Sequence, residues 1–183
     1  MEKSHSTHYK EAFKGTWELS AQKEAFVKRN IEYHARVKVI ESGFGAGSST
    51  YIKGSSGSHG HEKAAPDFTI ENTNIVIEVT GPLQAIRMEK DLFVNISKIK
   101  YAWTHPELEY WIAHSNGLVT KRTGVRMIRV VTAFQTGIED GTIVQEHFTS
   151  RGVLQMFYAI PPTHPTVCPF DIFLVYLTKR LND

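Results

Sequence analysis

Asp67 and Glu78 bracket a segment, APDFTIENTNIVIEVTG, whose spacing can bring two carboxylates together. Phe68-Thr69-Ile70 and Ile75-Val76-Ile77 are short β-prone runs, and Glu71-Asn72-Thr73-Asn74 between them has turn chemistry. A reversal centred on Asn72-Thr73 sets Phe68 opposite Ile77 and Asp67 opposite Glu78. Directly opposed residues in an antiparallel pair hold their Cβ atoms about 4.5–5.5 Å apart. Carboxylates at that range repel, so a fold that keeps them there needs a shared proton or a cation. Mg²⁺, with Mn²⁺ as a substitute, suits the site: it takes one or two carboxylates and fills its shell with waters and substrate phosphates. Such an ion activates a water for in-line attack on a phosphodiester and neutralises the pentavalent transition state. The bland alternative has Asp67 opening a turn after Pro66 and Glu78 on a solvated sheet face. An acid inside IVIEVT, however, interrupts an otherwise apolar strand.

The elements around the pair follow from periodicity. In the Glu78 strand, Ile75, Ile77 and Val79 face one way, and Val76, Glu78 and Thr80 the other. Ser20 is placed to cap a helix over about 21–33, with Glu24 in its first turns. Residues 36–40, Arg-Val-Lys-Val-Ile, alternate as a strand. From Gly43 to Lys63 the chain is mostly Gly, Ser, His and Lys, which predicts a long loop just before Asp67. Leu92, Ile96, Ile99 and Trp103 have the spacing of a buried helical stripe, predicting a helix over about 85–103 with Asp91, Asn95 and Lys98 on its polar face. Residues 109–114 and 125–133 read as strands, 142–158 as a helix, and 170–178 as a last strand or helix.

The sequence Pro66-Asp67, followed by Glu78-Val79-Thr80 at the end of an apolar strand, resembles the PD-(D/E)xK nuclease superfamily, which includes restriction endonucleases and Holliday-junction resolvases. The match covers roughly residues 20 to 115. The order helix, three strands, helix, strand agrees with that family's core. The resemblance implies an α/β, restriction-endonuclease-like fold, a central mixed β-sheet flanked by helices. It implies a metal-dependent DNA endonuclease acting on duplex or branched DNA, with Asp67 and Glu78 as metal ligands. A third acid from the first helix would join them; Glu24 is preferred over Glu32, and Glu18 stays open. Thr80 stands where most members carry the lysine that orients the attacking water. Some members supply that charge from a neighbouring helix, which makes Lys98 the preferred substitute, a solvated lysine being its alternative. A resolvase-like member is expected to be a homodimer. The departure at Thr80 also leaves a second reading, a catalytically inactive member of the fold that binds nucleic acid or a protein partner.

Length and composition agree with one domain spanning 1–183, which the resemblance implies is nuclease-like, its core at about 20–135 and its last elements at 140–183. The 183 residues are 41% apolar and 22% charged, enough for one sizeable core. A formal charge of +2 permits nucleic-acid contact without arguing for it. Local clusters carry that argument: Lys53, His59, His61 and Lys63 in the Gly-rich loop, and a track of Arg36, Lys38, Lys121, Arg122, Arg126 and Arg129. A plain linker and solvated strand faces are the respective alternatives. GFGAGSS lacks the Gly-Lys-Ser/Thr ending of a phosphate-binding loop, which excludes nucleotide hydrolysis on that motif, and His59 and His61 lack a third metal ligand. Tyr110 and Trp111 read as core. One cysteine, Cys168, and an N-terminal stretch without an apolar segment lead to the expectation of a cytoplasmic, intracellular protein with no membrane span.

Overall fold

The computed structural model describes residues 5–41, 66–118, 120–150 and 153–182. Its centre is a six-stranded mixed sheet in the order β1-β2-β3-β5-β6-β9, with β1 at Val39–Glu41, β2 at Phe68–Ile70, β3 at Ile75–Thr80, β5 at Glu109–Ser115, β6 at Val125–Arg129 and β9 at Val167–Pro169. β3 and β5 are parallel and the other neighbours antiparallel. A second sheet, β4-β8-β7, comprises Leu92–Asn95, Val153–Ile160 and Val144–Ser150. Four α-helices complete the described fold: α1 at His5–Ala35, α2 at Ile96–Thr104, α3 at Thr132–Glu139 and α4 at Phe170–Asn182. This is an α/β architecture with a central mixed sheet flanked by helices.

The sheet is buried on both faces, which explains why β3 reads as a near-continuous apolar run. One face packs Ile75, Ile77, Trp111 and Met127 against Val27 and Ile31 of α1 and Phe173 and Leu177 of α4. The other packs Val76, Tyr110, Ile112 and Ile128 against Ile96, Ile99 and Ala102 of α2, Phe134 of α3, and Leu92, Val94, Tyr158 and Ile160 of the second sheet. The β2–β3 reversal has the expected register, Phe68 opposite Ile77 and Thr69 opposite Val76. Asn72 takes the left-handed conformation, φ 61°, that its short polar side chain tolerates in a turn.

Four local expectations are corrected. Ser20 does not cap a helix, because α1 runs through it from His5, its burial set by Val27, Ile31 and Ala35 one turn apart. The strand expected at 36–40 starts only at Val39, since Arg36 adopts φ 55° and breaks the extension. The helix expected over 85–103 is a loop, then β4, then α2. Asn95 ends the strand and caps the helix, its side chain accepting from the Ser97 N–H at 2.9 Å, and Trp103, the supposed end of the buried stripe, is 40% exposed. The helix expected over 142–158 is the β7–β8 hairpin, paired from Val144↔Ala159 to Ser150↔Val153.

Candidate active site

Asp67 immediately precedes β2, and Glu78 lies in β3 one pair beyond Phe68↔Ile77. Alternation puts both on the sheet face that carries Val76, the face covered by α2. Both are buried, 8% and 5% exposed. The Val79 N–H donates to Asp67 Oδ2 at 2.7 Å, which fixes that carboxylate beside β3. From α2, Lys98 Nζ reaches Glu78 Oε1 at 2.7 Å. Glu78 Oε2 is buried and has no hydrogen-bond partner.

Two buried carboxyls and one ammonium leave one negative charge without a counter-charge, and proton affinities follow from that excess. Burial pushes Glu78 up to about 8, the Asp67 charge adds to the effect, and Lys98 opposes it. Burial likewise pushes Asp67 up to about 6 against the pull of Lys98 and the Val79 N–H. For Lys98, burial alone would lower the pKa, but Glu78 and Asp67 outweigh it and hold the ammonium charged. The short ion pair and the raised Glu78 pKa pull in opposite directions. The direction upward is the sound one, because a single ammonium is shared between two acids in a dry site. A proton settles the excess at low pH; a cation can settle it at higher pH.

Glu24 of α1 is buried and bears electrostatically on both Glu78 and Lys98. It reaches the sheet end because the neighbouring Lys23 donates to the carbonyls of Gly81, at 3.2 Å, and Pro82, pinning α1 over the end of β3. Gly81 itself has φ +123°, and a Cβ there would lie 2.1 Å from Ser115 O. Only glycine allows the chain to leave β3 at this angle. Among the described residues no group of three or more His, Cys, Asp or Glu has metal-holding geometry, so Glu24 stands near the acid pair without completing a three-ligand set. Glu32 instead accepts from the Val39 N–H at 3.2 Å, and Glu18 is exposed.

The remaining sequence candidates divide. Thr80 lies on the Glu78 face, two residues on and beside His114 of β5. Arg36 and Lys38 lie at the turn end of the sheet, where Lys38 pairs with Glu71 at 2.9 Å, away from the acid pair. Arg129 is engaged by Glu109 at 3.2 Å and stacks over Trp111 and Tyr176, while Arg122 pairs with Asp171 at 2.7 Å. Lys53, His59, His61 and Lys63 lie outside the described residues. Among the described residues no helix is long and apolar enough to cross a membrane.

Two residues of β5 join the site that sequence reasoning did not place there. Tyr110 is buried with a partnerless hydroxyl, its pKa raised well above the ordinary value by burial and then by the charges of Glu78 and Asp67. His114, 2% exposed, has an Nε2 without a partner, and burial, with Lys23 second, pushes its pKa down to about 4, so the ring is neutral at pH 7. The available signal was the polar residue near the end of the apolar run YWIAHS.

No protein-family model and no curated protein matches the chain. Among solved structures, the 1.6 Å structure of Hjc, a Holliday junction resolvase of the archaeal hyperthermophile Archaeoglobus fulgidus, is similar over 85% of this chain and 95% of its own, with 12% identity and a TM-score of 0.45.

Proposed function

We propose that the chain is a metal-dependent endonuclease of the PD-(D/E)xK type that hydrolyses phosphodiester bonds in DNA. The observation that carries this reading is the buried Asp67–Glu78 pair, with the partnerless Glu78 Oε2 and Lys98 Nζ 2.7 Å from Oε1. An all-oxygen donor pair with one oxygen unclaimed fits a hard cation, Mg²⁺ or Mn²⁺, that draws its other ligands from water and phosphate. Asp67 and Glu78 would hold it, with Glu24 adding negative potential from α1.

When bound, the ion supplies Lewis-acid polarisation of the phosphate and a lowered pKa for the attacking water. The protein's own groups do the rest. Asp67, tied to the Val79 N–H, keeps its carboxylate in place without reorganisation. Lys98 stands in for the lysine that Thr80 replaces. Released from Glu78 as substrate enters, its ammonium orients the water and offsets charge growing on the phosphate. Thr80 contributes a short hydroxyl on the same face, leaving room for the lysine from α2.

Incubating the protein with plasmid, linear duplex and four-way-junction DNA, with Mg²⁺, Mn²⁺ or EDTA, tests the proposal. Divalent-dependent cleavage, lost in Asp67→Asn, is expected; a junction-resolving member would favour the branched substrate and act as a homodimer. Binding without cleavage under any divalent ion refutes the catalytic reading and leaves a nucleic-acid-binding relative of the fold.

A further inference from the structure

Beyond the acid pair, Thr80 of β3, His114 of β5 and Arg126 of β6 are register partners, so the three side chains form a row across the sheet on the Glu78 face. His114 and Arg126 line a small cleft whose rim is the 82–91 segment, with Arg87 and Lys90 on its wall. This rim is tied down. Asn116 accepts from the Ile86 N–H at 2.7 Å and donates to the Ile86 carbonyl at 2.6 Å, and the Gly117 N–H donates to Pro82 O at 3.2 Å. A Cβ on Gly117 would lie 2.7 Å from Ala85 N, so the close approach of the segment to the strand end depends on glycine.

The lining has three cationic side chains and no acid. Glu89 and Asp91 alternate with Arg87 and Lys90 along the chain but are not part of the wall. Arg126 donates to Thr123 O at 3.1 Å, and neither it, Arg87 nor Lys90 has an acidic partner within 4.0 Å among the described residues. Buried His114 lies between them, and the positive charge of the cleft comes from Arg87, Lys90 and Arg126. A cation is repelled here and an apolar ligand leaves the charges unpaired, whereas an oxyanion is attracted by the unpaired cations of the lining.

We infer that this cleft, formed by Arg87, Lys90 and Arg126 over His114, binds a phosphate of the nucleic-acid strand neighbouring the bond held at Asp67 and Glu78. The choice of strand rests on the nuclease reading; the preference for an oxyanion does not. By strand geometry, two residues along β3 and one strand across, the His114 Cα is about 8 Å from the Glu78 Cα. That separation suits an adjoining phosphate of the same strand and would fix which bond meets the acid pair.

The test is binding of a fluorescent duplex in EDTA, where cleavage is absent, measured across a salt series for the native protein, Arg87→Ala/Lys90→Ala, and Lys179→Ala on the opposite face. The double variant should bind about 10-fold more weakly near 0.1 M salt, with its log K against log [salt] slope reduced by between about 1 and 2, while Lys179→Ala matches the native protein. An unchanged slope in the double variant, or no native binding at low salt, overturns the inference. Because this arm contains no divalent ion, a protein that neither takes up Mn²⁺ nor cuts DNA, yet shows the slope change, would refute the nuclease and keep the phosphate cleft.

Discussion

Replacing Glu78 with glutamine should stabilise the metal-free protein at alkaline pH while destroying its use for a metal. The native carboxyl is raised from 4.5 to about 8 by burial and the Asp67 charge. A raised acid pKa means that the folded state holds the proton over a window in which the unfolded chain has lost it. Its contribution to stability is therefore full below pH 4.5 and is lost as pH rises through about 8. Each tenfold change in proton affinity corresponds to about 1.4 kcal/mol, so forcing this group to ionise in the fold disfavours the native state by about 4 kcal/mol at pH 8.5 and by less than about 1 kcal/mol at pH 5. Glutamine keeps the shape and needs no ionisation, and Lys98 still faces the Asp67 and Glu24 charges. Urea unfolding in EDTA should thus show Glu78→Gln more stable than the native protein at pH 8.5, by up to about 4 kcal/mol, and nearly equal to it at pH 5. Added Mg²⁺ should close the gap by stabilising only the native protein. A native protein whose stability does not fall between pH 5 and 8.5, or a glutamine variant less stable at pH 8.5, would refute the excess-charge argument.

Further consequences can be checked one residue at a time. Lys98→Met should lower divalent-dependent cleavage by at least about 100-fold, measured in single-turnover assays, and native-like activity would return the lysine to a purely structural role. Tyr110→Phe removes a buried hydroxyl that has no partner, so it should raise stability by about 1 kcal/mol in urea melts; a loss would show that the hydroxyl is engaged. Gly81→Ala meets Ser115 O at 2.1 Å with φ at +123° and should destabilise by about 3 kcal/mol or more, read as a lowered Tm.

The β2–β3 hairpin and its acid pair were legible because alternation, a four-residue polar turn and an intrusive glutamate all mark the same register. The Lys98 contact was legible from its place on the polar face of a helix that follows the Glu78 strand, together with the family resemblance, although nothing local in ISKIKY says which sheet face α2 covers. The region around Asn95 misled because Leu92 and Ile96 have helical spacing across what is a strand-to-helix junction, and the Asn95 cap was the overlooked signal. A helix is expected over residues 142–158 although Thr142-Ile143-Val144, Phe148-Thr149 and Phe157-Tyr158 favour strands, and the pairing of β7 with β8 follows that preference. The basic cleft was invisible to sequence, because register pairing alone brings Thr80, His114 and Arg126 into one row.

The most direct test of the central claim is a crystal structure of the protein soaked in Mn²⁺, read by anomalous scattering. The account predicts one peak within about 2.0–2.6 Å of oxygens from both Asp67 and Glu78, with Lys98 Nζ displaced from Glu78. A fully soaked crystal with no peak between those carboxylates, and the Lys98–Glu78 pair intact, would contradict it.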